Sequence, residues 1–337
     1  MTLKDIAKVA GVSAQTVSSV VNNTGSVSEA VRARIREIAD NLGYSPNMYA
    51  KAMRTGRSRT IALVIGDIRR PFFPELAHEI QRVTRNEGYS TLIVDTDETP
   101  NVAERIGALR SLGIDGVIST EEIPSLYDLR LPTVMLTDAS NGLDSVTADD
   151  LAGGTMIAEH LLSLGHRKIA LLTSPLTGCI QARRKGLLNR LKGEAEIVWE
   201  VTTSAKETIT QQVRDKIRER DVTAIVCSHD LMAIGLLQVL REERVAVPQD
   251  VSVVGFDDVQ WASIVTPSLT TVRQPYAELA NHAVGLLLAR IDKPRRRARR
   301  VKLEVELVER ESVGKAPNRA LARPIRAQRR VLQPVRA

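Results

Sequence analysis

A single glycine between two short apolar stripes constrains this chain more than any other feature. It lies in Thr2-Leu-Lys-Asp-Ile-Ala-Lys-Val-Ala-Gly-Val-Ser-Ala-Gln-Thr-Val-Ser-Ser-Val-Val-Asn22. Ile6, Ala7, Val9 and Ala10 share one helical face. Gly11 then supplies the positive φ of a tight turn without a Cβ clash. Ser13 is placed to cap the next helix by accepting a backbone N–H, and Val17, Val20 and Val21 return that helix to a core. Small Ala7 lets the two helices approach closely and wedges the second one outward. Left exposed are Ala14, Gln15, Ser18, Ser19 and Asn22, short and mostly polar side chains suited to base edges in a major groove. The spacing is that of a helix-turn-helix.

The flanks agree. Ser28 is placed to cap a third helix carrying Val31, Ile35, Ile38 and Leu42 at helical spacing, with Gly43 as its stop. Residues 1–60 hold nine basic and four acidic side chains, an excess that fits phosphate contacts. The sequence Tyr44-Ser-Pro-Asn-Met-Tyr-Ala-Lys-Ala-Met-Arg-Thr-Gly56 reads as a short proline-started helix, too short to be stable alone. The expected division is a headpiece over 1–46, a hinge helix and linker over 47–60, and a core over 61–314.

From Ile61 onward the pattern changes to strand-like runs at 61–65, 91–94, 116–118, 133–136, 168–173, 224–227 and 252–255, with 301–308 as a closing strand. Amphipathic helical stretches fall between them at 75–87, 102–112, 153–164, 183–191, 208–219 and 231–242. Such alternation predicts an α/β fold of parallel sheets flanked by helices. The runs outnumber the needs of one sheet, so two lobes are expected: an N-lobe of about 61–160 plus 276–303, and a C-lobe of about 161–275 plus 304–314. Ligands of such sheets lie beyond the carboxyl ends of the strands. There stand Phe72, Phe73, Asp149, Arg183, His229, Asp257 and Gln274. Carboxylates, an arginine, an amide and aromatic rings suit a polyhydroxylated ligand. Asp150 and Asp230 read as helix caps, and Asp149, Arg183 and Asp257 as equally open to ligand contact or a structural role.

Composition excludes several classes. There is no run of eighteen apolar residues and no apolar leader, so a soluble, unexported, cytoplasmic protein is expected. Cys179 and Cys227 lack metal-ligand spacing; Cys227 reads as core and Cys179 as bordering a cleft. No phosphate-cradling glycine loop or Gly-x-Ser-x-Gly elbow is present, so neither enzyme activity nor a metal or cofactor is expected. The net charge of +7 equals the basic excess of residues 315–337, which hold seven basic side chains and no acidic one. That proline-broken tail reads as disordered, and Lys293–Arg300 as a solvated surface loop.

Along nearly its whole length the chain resembles the lactose/galactose repressor family of bacterial transcription regulators. The resemblance rests on Leu3-Lys-Asp-Ile-Ala-x-x-Ala-Gly-Val-Ser13, Gly43-Tyr-x-Pro-Asn47, Pro71-Phe-Phe73 and Gly165-His-Arg-Lys-Ile169. It continues in Asp230-x-Met-Ala-x-Gly235, Val247–Asp258 and Pro267–Gln274. It implies a two-lobed core like a periplasmic sugar-binding protein, behind an all-α headpiece. It also implies a homodimer on a pseudo-palindromic double-stranded operator, with a small effector, a sugar or sugar derivative, in the inter-lobe cleft. Thr2, Leu3, Ser13, Ala14, Gln15, Thr16, Ser18, Ser19, Asn22, Ser28 and Asn47 are implied at the DNA, with Ala50 and Met53 on the hinge. Phe72, Phe73, Asp149, Arg183, His229, Asp257 and Gln274 are implied around the effector.

Several positions depart from the family pattern. Ser19 stands where arginine is usual, removing a guanine contact. Met53 replaces leucine on the hinge. His229 replaces the usual asparagine, and Thr202–Ala205 lacks an aromatic often found over the ligand. Trp261 could supply a replacement ring or be a packing residue. Arg70 stands where asparagine is frequent, which admits a phosphorylated or acidic effector. The alternative reading keeps DNA binding but replaces the small molecule with a protein corepressor or with no ligand.

Overall fold

Ile61, Leu63 and Ile65 point to one side of a strand, Ala62 and Val64 to the other, and all five are buried. A strand dry on both faces requires helices above and below it. The computed structural model describes residues 2–21, 24–44, 56–97, 101–138, 142–175, 177–203 and 209–318. The chain divides into two units, Met1–Arg59 and Thr60–Ala337.

In the first unit, α1 (Leu3–Ala10), α2 (Ala14–Val21) and α3 (Glu29–Asn41) close around Ile6, Ala7, Ala10, Val17, Val20, Ile35 and Ala39. Gly11 ends α1 in the left-handed region at φ 65°. Val9 is not part of that core: it is 57% exposed, so Ile6, Ala7 and Ala10 carry the buried face of α1. Ser28 occupies the position before α3, but its side chain makes no capping hydrogen bond there.

The second unit begins with β1 (Thr60–Ile65), α4 (Phe72–Asn86), β2 (Ser90–Asp95), α5 (Val102–Ser111), β3 (Gly116–Ser119), α6 (Pro124–Asp128), β4 (Thr133–Met135) and β5 (Asp144–Ala148). It continues with α7 (Asp150–Ser163), β6 (Lys168–Thr173), α8 (Gly178–Leu191), β7 (Glu196–Thr202), α9 (Gln211–Glu219), β8 (Ala224–Cys227), α10 (Asp230–Glu242) and β9 (Ser252–Val254). β10 (Thr271–Arg273), α11 (Tyr276–Asp292), β11 (Arg300–Leu303) and β12 (Glu306–Val308) complete it.

One sheet has the order β11-β5-β4-β3-β1-β2, parallel throughout. Its one face buries Ile61, Leu63 and Ile65 against α4 and α11; the other buries Ala62 and Val64 against α5 and α6. The second sheet, β7-β6-β8-β9, is also parallel, and β10 pairs antiparallel with β12 beside it. Ile169 and Leu171 pack with α7 and α8, whereas Ala170 and Leu172 pack with α9 and α10. The two-residue period of a strand thus sends alternate side chains into separate cores.

Two expectations change. The closing strand over 301–308 is two strands: β11 joins the first sheet and β12 the second, so the chain changes lobe between them. Helix α7 packs Ile157, Ala158 and Leu161 into the C-lobe, so the first crossing falls at Asp149, not near residue 160. The basic run also turns partly inward. Asp144 is fully buried, and its Oδ2 accepts from Arg290 Nε at 2.9 Å and Arg296 Nη2 at 2.6 Å. Its Oδ1 accepts the Arg299 N–H at 2.7 Å, which fixes the run to the start of β5.

Helices α7 and α8 approach through glycines. A Cβ on Gly154 would lie 2.0 Å from the Arg183 carbonyl oxygen, and one on Gly186 would lie 2.0 Å from that of Leu151. Neither contact is possible without moving a helix backbone. Gly186→Ala is therefore expected to destabilise the core by roughly 1–3 kcal/mol, the usual cost of overpacking, read as a lower urea midpoint. An unchanged midpoint would show that the helices separate freely.

Candidate functional site

The first candidate surface lies on the headpiece. Asp5 accepts the Thr2 N–H at 2.8 Å and the Thr2 hydroxyl at 3.0 Å, securing the start of α1. Those hydrogen bonds lower the Asp5 pKa, the backbone one first. Ser13 Oγ accepts the Thr16 N–H at 3.1 Å and lies 2.9 Å from Thr16 Oγ1, so Ser13 caps α2 as expected. Val17 and Val20 are buried, while Ser13, Ala14 and Gln15 are exposed and Thr16, Ser18 and Ser19 are half-exposed. Thr2 is exposed, Leu3 is half-buried, and Ser28 is exposed. The first turn of α2 thus offers a continuous outward face whose orientation is set by two buried valines. Asn22, Asn47, Ala50 and Met53 lie outside the described residues.

The second candidate is a cleft of about 700 Å³ between the two lobes of the core. Phe72, Phe73, Arg183, His229, Asp257 and Gln274 all line it. They come from both lobes: Phe72 and Phe73 from the start of α4, Arg183 from α8, and the other three from beyond β8, β9 and β10. Phe72 packs edge-on to Phe73 at 5.2 Å between ring centroids and lies 5.6 Å from Tyr276.

Asp149 does not line the cleft. Its carboxylate caps α7 by accepting the Ala152 N–H at 3.0 Å, and Asp150 faces the cavity in its place. The same one-residue displacement recurs at α10. His229 is the cap there, its Nδ1 accepting the Met232 N–H at 3.2 Å, and Asp230 is buried behind it. The Asp230 carboxylate instead accepts Val259 N–H at 2.9 Å and Thr271 Oγ1–H at 2.5 Å. Both aspartates expected as caps are therefore interior partners, because the residue before each has the extended or intermediate backbone that lets a side chain fold over the first turn.

Arg183 anchors the cleft floor. Its Nε donates to Asp150 at 2.7 Å and its Nη1 to the Ser228 carbonyl at 2.7 Å, while Asp257 lies 3.5 Å from Nη1. Its guanidinium stacks 3.6 Å from the Phe256 ring centroid. Burial opposes the charge, but Asp150 and Asp257 outweigh it and raise the Arg183 pKa. Asp257 adopts φ 122°, a strained value held by Gln274 Nε2 donating to its Oδ1 at 2.7 Å and Tyr276 OH donating to its carbonyl at 3.1 Å. Burial raises the pKa of Asp257 and of Asp230.

Residues not singled out by the sequence complete the wall: Glu121, Asp138, Lys185 and Lys302. Glu121 and Asp138 follow β3 and β4, so the strand-end rule could have reached them. Cys179 also lines the cleft, as expected, and burial raises its thiol pKa. Cys227 is buried in the C-lobe core. Trp261 is 50% exposed on a short 3₁₀ turn and is not part of the cavity wall, so it supplies no replacement ring. No metal-binding cluster occurs among the described residues.

Known proteins share this arrangement. Residues 2–47 match the model for bacterial regulatory proteins of the lacI family, and residues 158–313 match the periplasmic binding protein-like domain. The ribose operon repressor of Escherichia coli is 32% identical over 92% of this chain and 99% of its own length. The chain belongs to the LacI family. The regulator DegA of Bacillus subtilis is 34% identical over 82% of this chain and 88% of its own. Among solved structures, the operator-bound Lac repressor dimer superposes with a TM-score of 0.83 at 26% identity, covering 93% of this chain and 99% of that one. A LacI-family regulator of Enterococcus faecium with bound ribose gives 0.70 at 26% identity, over 76% and 99%. The LacI headpiece and the periplasmic-binding-protein-like core are thus both present, and no described helix is long and apolar enough to cross a membrane.

Burial, then the charges of Arg70 and Arg183, lowers the His229 pKa from 6.5 to about 3. Between those values the unfolded chain binds a proton that the folded chain refuses, so stability is intact above 6.5 and falls as the pH drops. His229→Ser keeps a capping oxygen and removes the ring. It is expected to lose less stability than the parent between pH 7 and pH 5, read from urea midpoints. Equal losses would mean the ring is not held neutral.

Proposed function

We propose that this protein is a transcriptional repressor that binds a pseudo-palindromic operator as a homodimer. A small effector, a carbohydrate or a derivative of one, controls that binding from the inter-lobe cleft. The observation that carries this reading is the outward face of α2, with Ala14 and Gln15 exposed at its start above buried Val17 and Val20. A helix held this way can lie in a major groove with its N-terminal side chains at base edges. The ribose repressor and the operator-bound Lac repressor among its relatives support the same reading.

In this reading residues 1–46 form the headpiece, 47–60 the hinge and 61–314 the effector-binding and dimerising core. Ala14, Gln15, Ser18, Ser19 and Asn22 read bases. Thr2, Leu3, Ser13, Thr16, Ser28 and Asn47 position the headpiece on the backbone, and Ala50 and Met53 enter the minor groove. Phe72 and Phe73 cover the apolar face of the effector, while Arg183, His229, Asp257 and Gln274 pair with its polar groups. The cleft binds and does not catalyse, and the protein works in the cytoplasm, where its operator lies.

Control follows from linkage. The effector can shift operator affinity only by its difference in affinity for the two lobe arrangements, and DNA must shift effector affinity by the same factor. Gln15→Ala is expected to weaken operator binding by roughly 1–3 kcal/mol while leaving the thermal unfolding midpoint unchanged. Gel shifts on genomic fragments from around its own gene would measure this. Absence of any protected palindrome at moderate salt would overturn the assignment.

A further inference from the structure

His229 lines the cleft, is 5% exposed, and has an assigned tautomer. Its Nδ1 accepts the Met232 N–H, so that nitrogen carries no proton and the neutral ring bears its hydrogen on Nε2. Nε2 is buried and has no hydrogen-bond partner among the described residues. A buried N–H without an acceptor is costly, and a ligand that supplies one removes that cost. Asparagine at this position could both donate and accept; this histidine, with Nδ1 committed to the helix cap, can only donate.

Arg70 contributes a second donor from the opposite lobe. It stands in the turn between β1 and α4 and lines the same cavity, with its guanidinium 5.4 Å from the Phe73 ring centroid. Among the described residues it forms no ion pair within 4 Å, and its charge is felt at Glu121, His229 and Asp257. Lys185, exposed on α8, lines the cavity as well. Of the acidic groups there, Asp150 and Asp257 are engaged by Arg183, and burial raises the Glu121 pKa while the charge of Arg70 opposes that rise. Glu122 and Asp138 are the remaining acidic side chains of the wall.

Resting on the cleft reading above, we propose that the effector is an anionic carbohydrate whose oxyanion, a carboxylate or a phosphate, is received by Arg70 and the Nε2–H of His229. Its hydroxyl groups then face Asp257 and Gln274. A guanidinium and a donor-only imidazole on opposite walls match an acceptor-only group, and they would hold the two lobes together across it.

The test is calorimetric titration of the full-length protein with glucose, glucuronate and glucose 6-phosphate, and with ribose, ribonate and ribose 5-phosphate. At least one acid or phosphate is expected to bind ten times or more tightly than its neutral parent, and which of the two does so distinguishes carboxylate from phosphate. Arg70→Asn should remove that advantage without weakening the neutral parent, and His229→Ser should reduce it several-fold. Thermal unfolding of each variant checks that it is folded. Neutral sugars binding as tightly as their charged counterparts would overturn this inference and leave the cleft reading standing. Failure of all six to bind, with operator binding unaffected by any of them, would overturn both.

Discussion

The core is organised around one buried cation. Arg183 is held between Asp150 and Asp257 with its face on Phe256. Removing either carboxylate would leave the largely buried guanidinium with one carboxylate in place of two, a loss on the order of a few kcal/mol. Three glycines make the arrangement possible. Gly154 and Gly186 let the α7 and α8 backbones meet, and a Cβ on Gly153 would strike the Phe256 ring at 2.6 Å. Packing at the helix crossing and charge pairing in the cleft are therefore a single constraint.

That constraint sets the floor on which the two lobes work. The chain passes between lobes three times, after β5, after β10 and after β11, so neither lobe is a simple continuous segment. The Gln260 N–H of the C-lobe donates to Glu75 Oε1 of the N-lobe at 2.9 Å, a contact outside the cleft wall that also joins the two. Burial raises the Glu75 pKa, and the hydrogen bond from Gln260 offsets part of that rise. A ligand touching both walls has the differential affinity that a switch requires.

Much of the site was legible from strand ends. Six of the seven residues expected at the effector face one cavity because parallel strands all deliver their following loops to the same edge of the sheet. What failed was resolution at the level of one residue. Asp149 and Asp150, like His229 and Asp230, are adjacent and polar, and sequence could not say which folds over the helix start and which points inward. Backbone angles decide that, and they depend on how the strand enters the helix. Val9 failed for a related reason: helical spacing places it beside the core stripe, but it stays exposed outside the headpiece core.

The periodicity of the chain settled what belongs to a local segment. Gly11 with its flanking stripes determined the headpiece turn, and alternating runs determined two parallel sheets, because both patterns act over a handful of neighbouring residues. Folding in three dimensions settled the rest. Only there does Asp144 meet Arg290 and Arg296 more than a hundred residues away, and only there does 301–308 divide between two sheets. The buried Nε2 of His229 belongs to the same class. Whether a polar atom is dry and unpartnered depends on every chain segment that surrounds it, and no stretch of sequence carries that information alone.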